Sequence, residues 1–285
     1  MYGENGERAG HPSKNSLPHQ PTPARKRDIW PGGEKAAAQQ KNAIILFEMD
    51  FPNLVPFDSL VGRLVRLPLR LIPNGTCIPV LFGPNRGHRF LKGAGTNGYW
   101  LGTVERAHQT LAAKHICPGE VVYDIGANVG LHTLLFSRLV GEGGQVFAFE
   151  PSPDTVALLA EHVRINRKKN VTIIQKAVAG RAGEMRFSAH GDSRIRRLDT
   201  GGEVTVLSVT LDQMARELPP PACIKMDIEG AEVEALEAAA DCFQRYRPKL
   251  FLATHGSDVR CCALLSSWGY NIEFFAGPDL LALPM

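Results

Sequence analysis

Val121-Val122-Tyr123-Asp124-Ile125-Gly126-Ala127-Asn128-Val129-Gly130 is the stretch whose reading decides the fold. Five mostly apolar residues, 121–125, have the length and β-branched content of a buried strand. Gly126 and Gly130 then allow a sharp turn, and Leu131–Val140 carries the apolar content of a helix. A strand running through a glycine turn into a helix is the first half of a βαβ unit.

Downstream the same alternation repeats. Strands are expected at 121–125, 145–149, 171–177, 223–226 and 249–254, with helices at 131–140, 153–168, 230–244 and 258–267. Strands alternating with helices imply a doubly wound α/β fold, its mostly parallel sheet covered on both faces. Residues 183–210 hold two further alternating segments, MRFSA and VTVLSV, expected as added antiparallel strands. YNIEFF and LLALP read as two closing strands. Upstream, 104–116 reads as a helix, and the Gly- and Pro-rich 73–103 as turns and short strands. Residues 43–72 carry Leu, Val and Phe at three- and four-residue steps, with Arg63, Arg66 and Arg70 on another face, as in an amphipathic helix. Residues 1–40 are polar and broken by five prolines, so they bury too little apolar surface to offset their ordering entropy and are expected as a disordered tail. The division expected is a tail over 1–40, an N-terminal helical and β extension over 41–103 packing on the core, and the main domain over 104–285.

Composition narrows the function. The chain has 285 residues, 44% of them hydrophobic, and a net charge of +3 from 32 basic and 29 acidic residues. Such a balance lacks the basic excess of a nucleic-acid binder. No apolar run approaches the roughly 18 residues of a membrane-spanning helix, and no signal peptide is visible. The six cysteines form no CxxC pair, which speaks against a structural zinc site and for reduced thiols in a cytoplasmic protein.

Three acidic positions stand at strand ends, where open α/β sheets bind ligands. Asn128 occupies the position where a dinucleotide fingerprint has glycine for close approach to a pyrophosphate. A ligand without phosphate, such as S-adenosylmethionine, does not need that approach, and Asp124 offers a carboxylate to its amino-acid end. Glu150 closes the next strand, 26 positions beyond Asp124, and suits a ribose cis-diol. Asp227 lies at the end of the 223–226 strand, within Ile224-Lys225-Met226-Asp227-Ile228-Glu229-Gly230-Ala231-Glu232. Asp227 and Glu229 also fit plain capping of the following helix.

The segments YDIGANVGLHT, FAFEP, IKMDIEGAE and RPKLFLATH, in this order, resemble the FkbM family of S-adenosylmethionine-dependent methyltransferases over roughly residues 98–275. The resemblance implies a seven-stranded, Rossmann-like class I methyltransferase fold and O-methylation of a small molecule or glycan. It places the cofactor against Asp124, Gly126, Asn128, Gly130, Thr133 and Glu150, with Ala177 near the adenine through its backbone and Asp227 facing the reaction centre. The family often carries Glu-x-His after the fifth strand, where this chain has Ala253-Thr254-His255.

A hydroxyl acceptor needs a general base near neutral pH, and histidine suits that task. His255 is therefore the expected base, with Asp227 orienting it or the acceptor. His132, inside the helix after the turn, is expected to be positional. Asp227, Glu229 and His255 are donors a divalent ion accepts, but their spacing demands none, and no metal is expected. A non-catalytic scaffold of the same fold and a nicotinamide-dependent oxidoreductase are the competing readings; Asn128 speaks against the second. Arg194, Arg196 and Arg197 suit either an anionic or sugar ligand or a solvated charge run. No motif identifies the acceptor or the oligomeric state.

Overall fold

A computed structural model describes residues 71–95, 98–188 and 203–285. The expected tail over 1–40, the amphipathic helix expected up to Pro68, and Arg194, Arg196 and Arg197 lie outside the described residues.

The described chain begins with a hairpin of β1 (Cys77–Pro79) and β2 (Arg89–Leu91), then α1 (Gly98–Leu101) and α2 (Arg106–His115). The alternating part follows: β3 (Val121–Ile125), α3 (Leu131–Val140), β4 (Gln145–Phe149), α4 (Pro153–Ile165) and β5 (Val171–Ile174). A small three-stranded sheet comes next, of β6 (Ala177–Val178), β7 (Gly183–Ser188) and β8 (Glu203–Val209). The chain then forms α5 (Leu211–Glu217), β9 (Cys223–Met226), α6 (Glu232–Glu237), α7 (Ala240–Tyr246), β10 (Lys249–Leu252), α8 (Asp258–Ser267), β11 (Tyr270–Ala276) and β12 (Asp279–Pro284).

The main sheet has seven strands in the order β11-β12-β10-β9-β3-β4-β5. All neighbours pair in parallel except those of β12, which is antiparallel to β10 and β11. Strand order reverses between β3 and β9, which leaves a crevice at their carboxyl ends. Period-two alternation sorts the side chains onto two faces. Tyr123, Ile125, Phe147, Phe149, Ile224 and Met226 pack against α5 to α8 on one face. Val122, Val146, Cys223 and Phe251 pack against α2 and α3 on the other. Both faces are covered, which is why the strands read as near-continuous apolar runs.

Several boundaries depart from the sequence expectation, among them the strand expected over 249–254, which ends at Leu252, and the helix expected over 104–116, which spans Arg106–His115; three further departures have a visible cause. The strand expected over 171–177 stops at Ile174, whose carbonyl accepts a hydrogen bond from Lys176 N at 2.8 Å; this tight turn sends Ala177 into the small sheet. The helix expected over 153–168 ends at Ile165, where the Asn166 side chain donates to the His162 carbonyl and Arg167 takes a left-handed φ of 53°. The helix expected over 230–244 is two helices. The Asp212 carboxylate accepts from Asp241 N at 3.3 Å and Cys242 N at 2.7 Å, so the amides of the first turn of α7 are satisfied from α5 rather than by a continuing helix.

Candidate active site

Asp124 sits next to last in β3, fully buried. Its Oδ2 accepts from Thr133 Oγ1 of α3 at 2.6 Å, while Oδ1 has no hydrogen-bond partner. The cross-strand neighbour of Asp124 is Lys225, whose Nζ stands 3.8 Å from Oδ1 and donates to the Gly126 carbonyl at 3.0 Å. Lys225 Nζ also lies 3.5 Å from Asp227 Oδ2. Burial works against the ammonium, but Asp227, Asp124 and Glu105 outweigh it and raise the Lys225 pKa above its ordinary value.

The turn after β3 has left-handed φ at Gly126 (74°), Asn128 (49°) and Gly130 (95°). Glycine is needed at 126 for a reason other than ligand approach: an added Cβ would lie 1.9 Å from the Asp227 carbonyl oxygen. At 130 it would meet Leu159 Cδ1 at 2.6 Å. Asn128, one of the few non-glycine types that tolerates this conformation, donates its backbone N–H to Glu150 Oε2 at 2.9 Å. Ser152 N donates to Glu150 Oε1 at 3.1 Å. Burial raises the Glu150 pKa, and those two amides and Lys225 oppose the rise. Each Glu150 oxygen keeps a second lone pair.

These residues fit the cofactor that the sequence resemblance implies. The unpartnered Asp124 Oδ1 is an acceptor suited to a cationic amino group, and Glu150 is an acceptor suited to ribose hydroxyls, both beside an open backbone turn. Ala177 is partly buried at the start of β6, three residues past Ile174 and away from the main sheet. Ile174 itself accepts from Glu150 N at 3.2 Å.

On the other side of Lys225, Asp227 follows β9 but does not open a helix. Ile228 to Ala231 form a turn, with left-handed φ at Glu229 (59°) and Gly230 (104°), and α6 begins at Glu232. The capping alternative for Asp227 and Glu229 is thereby set aside: no side chain caps α6, and Gly230 N donates to Glu232 Oε1 at 2.9 Å. His255, three residues past β10, also takes a left-handed φ, 44°. Its Nδ1 is 2.8 Å from Glu232 Oε1 and its Nε2 is 3.5 Å from Asp227 Oδ1. Burial lowers the His255 pKa, but the hydrogen bond to Glu232 and the charges of Asp227, Glu232 and Glu229 prevail and raise it above the ordinary histidine value.

A cavity of about 190 Å³ opens at the carboxyl ends of β9 and β10. Six titratable side chains line it: Glu105, His108, Lys225, Asp227, His255 and Asp279. Two histidine–carboxylate contacts shape its wall, His108 Nε2 to Asp279 Oδ2 at 2.8 Å and His132 Nε2 to Glu105 Oε2 at 2.5 Å. His132 itself is buried in α3. Asp124, Thr133 and Glu150 thus gather on one side of Lys225, and Asp227 and His255 on the other. Glu229 is exposed, and no group of three or more metal-ligating side chains is found among the described residues. Sequence reasoning gave no role to Lys225, Glu232, Glu105, His108 or Asp279. For Lys225 a signal existed: a lysine inside an apolar strand, in register with Asp124.

The chain is similar in sequence to known proteins. The family model for the methyltransferase FkbM domain matches residues 124–272, just over half of the chain. The hexuronic acid methyltransferase AglP of Haloferax volcanii is 29% identical over 130 residues, 44% of this chain and 52% of that protein. The 31-O-demethyl-FK506 methyltransferase FkbM of Streptomyces tacrolimicus is 36% identical over 78 residues, 27% of this chain and 29% of that protein. The chain thus spans about half the length of the first relative and under a third of the second. Among solved structures, the methyltransferase FkbM from Methylobacillus flagellatus KT superimposes with a TM-score of 0.45 at 21% identity, covering 57% of this chain and 43% of that one. With the matched segment running from Asp124 through the glycine turn, Glu150, Asp227 and His255 to the closing strands, the chain belongs to the FkbM family of methyltransferases, whose cofactor is S-adenosylmethionine.

Proposed function

We propose that this protein transfers the methyl group of S-adenosylmethionine to a hydroxyl of a small molecule or glycan. The observation that carries the reading is the placement of His255 and Asp227 on one cavity, beside the glycine turn to which Lys225 is hydrogen-bonded. When bound, S-adenosylmethionine supplies a methyl group already activated by its sulfonium, so alignment and proton removal are what is left to the protein.

Each residue then has a task. Glu150 and the Asn128 turn hold the ribose, and Asp124 faces the amino-acid end. Lys225 ties the Gly126 carbonyl to Asp227 and so fixes the distance between the two loops. His255 would take the acceptor's hydroxyl proton on Nε2, Asp227 would stabilise the imidazolium that results, and the bound donor would supply the methyl group and leave as S-adenosylhomocysteine. The left-handed backbone at His255 is strain of the kind held at working sites.

The test is transfer of labelled methyl groups to a panel of hydroxylated small molecules and glycans, with methyl ethers identified by mass spectrometry. His255→Ala should leave cofactor affinity unchanged and cut turnover by about 10²-fold or more. Because only the neutral imidazole can act as base, turnover should rise with pH and level off above the raised pKa of His255. Wild-type turnover in His255→Ala removes the base assignment, and failure to bind the cofactor removes the reading altogether.

A further inference from the structure

We propose that Glu232 is a positioning residue for His255: it fixes the tautomer with the proton on Nδ1 and leaves the Nε2 lone pair toward Asp227 and the cavity. This rests on the reading of His255 as the base. The Glu232 side chain has no exposed surface, and its Oε1 lies 2.8 Å from His255 Nδ1. An ionised carboxylate has no proton to give, so a contact of that length requires the hydrogen on Nδ1. The opposite tautomer would set two acceptors against each other and put the N–H where a hydroxyl must deliver its proton.

The surroundings hold the carboxylate in place. Oε1 also accepts from Gly230 N at 2.9 Å, because Glu229 and Gly230 both turn through left-handed conformations and fold that amide back. Oε2 stands 3.5 Å from Ser257 Oγ, which in turn neighbours Cys261 Sγ at 3.5 Å. The other charged groups facing the imidazole are Asp227, itself paired with Lys225, and Glu229, while Glu105, His108 and Asp279 line the shared cavity. Asp227 faces Nε2 and favours the opposite tautomer, but at 3.5 Å it is outweighed by the 2.8 Å contact of Glu232 with Nδ1. A carboxylate on Nδ1 that orients an imidazole and stabilises its protonated form is a recurring device of general-base catalysis.

The tautomer can be read without knowing the acceptor. The full chain, labelled with ¹⁵N-histidine, gives ring-nitrogen shifts that separate Nδ1–H, Nε2–H and the imidazolium. Of the nine histidines, His255 is assigned by the signal lost in His255→Asn. The expected result is an Nδ1–H ring above its titration midpoint. In Glu232→Gln the amide oxygen keeps the place between Gly230 N and Nδ1, so the ring should stay Nδ1–H while the lost charge lowers its midpoint, with cofactor affinity unchanged. Glu232→Asp, which keeps the charge, should restore part of the midpoint. A wild-type ring in the Nε2–H form, or an unchanged midpoint in Glu232→Gln, overturns the proposal. The wild-type spectrum decides even where Glu232→Gln does not fold. Loss of the base assignment would appear separately, as full turnover in His255→Ala.

Discussion

At Gly126 two requirements coincide: a φ of 74° and a Cβ position 1.9 Å from the Asp227 carbonyl oxygen. The second is with backbone, which cannot swing aside. Gly75 offers the control, since its φ of 83° is equally left-handed but nothing lies within 4 Å of its Cβ position. Gly75→Ala should therefore lose only the left-handed penalty of about 1–2 kcal/mol. Gly126→Ala should lose clearly more than that and also weaken cofactor binding, because relief requires the β3 and β9 loops to part. Urea unfolding and cofactor titration of the two variants measure this; equal losses would mean that the contact relaxes freely. Much of this half of the site was legible in the sequence, since the apolar run, the glycines and the strand-end acids lie close together along the chain. The other half was not. Lys225 meets the Gly126 carbonyl across 99 residues, Glu232 meets His255 across 23, and Glu105 meets His132 across 27. Those partnerships follow from sheet order, which no local pattern encodes. The alanine at 253 looked like a missing carboxylate, yet a carboxylate does reach His255, from α6.

The strands β3, β4 and β9 and the helices α3 and α8 coincide with their sequence-derived limits because sharp turn residues bound unbroken apolar or amphipathic runs. The break between α6 and α7 was hidden, since Glu232 to Tyr246 contains good helix formers and no glycine or proline. A residue from a different helix makes it: Asp212 binds the amides of Asp241 and Cys242. The helix that carries Asp212 was itself unread, although Thr210 and Gln213 stand at capping-box spacing and Thr210 Oγ1 does accept from Gln213 N at 3.2 Å. Asp212→Ala should cost about 1 kcal/mol, the usual worth of an N-terminal cap. Asp212→Asn, which keeps an acceptor oxygen, should cost less. Neither should change cofactor affinity, because α5 and α7 pack on the face of the sheet away from Asp124. Denaturant midpoints at constant slope check the first point and cofactor titration the second.

Across the whole molecule, the β1–β2 hairpin is tied to the cofactor turn by histidines whose burial favours the neutral ring. His162 donates from Nδ1 to the Val129 carbonyl at 2.7 Å and accepts from Leu91 N on Nε2 at 3.0 Å. His88 donates from Nδ1 to Asn85 Oδ1 at 2.7 Å, and Asn85 donates in turn to the Leu131 carbonyl at 3.0 Å, at the start of α3. Burial, seconded by the charges of Arg138 and Lys168, pushes the His88 pKa down to about 2, and burial also lowers that of His162. Between about pH 6.5, the ordinary histidine value, and that depressed value, the unfolded chain binds a proton that the folded chain refuses. Stability from His88 is therefore fully present above about pH 6.5 and falls by about 1.4 kcal/mol per pH unit below it. His255 works in the opposite sense, because its raised pKa adds stability at low pH that is lost as pH rises through the folded value. The total curve mixes both, so the difference between two proteins is the clean quantity. At neutral pH His88→Gln should be less stable than wild type, having lost a fitted buried ring. Between about pH 6.5 and about pH 5 the gap should close by about 2 kcal/mol, because wild type bears the proton-linked loss and the variant does not. Urea unfolding of both proteins across that range measures the gap, and a gap independent of pH would mean that the His88 ring takes up a proton inside the fold.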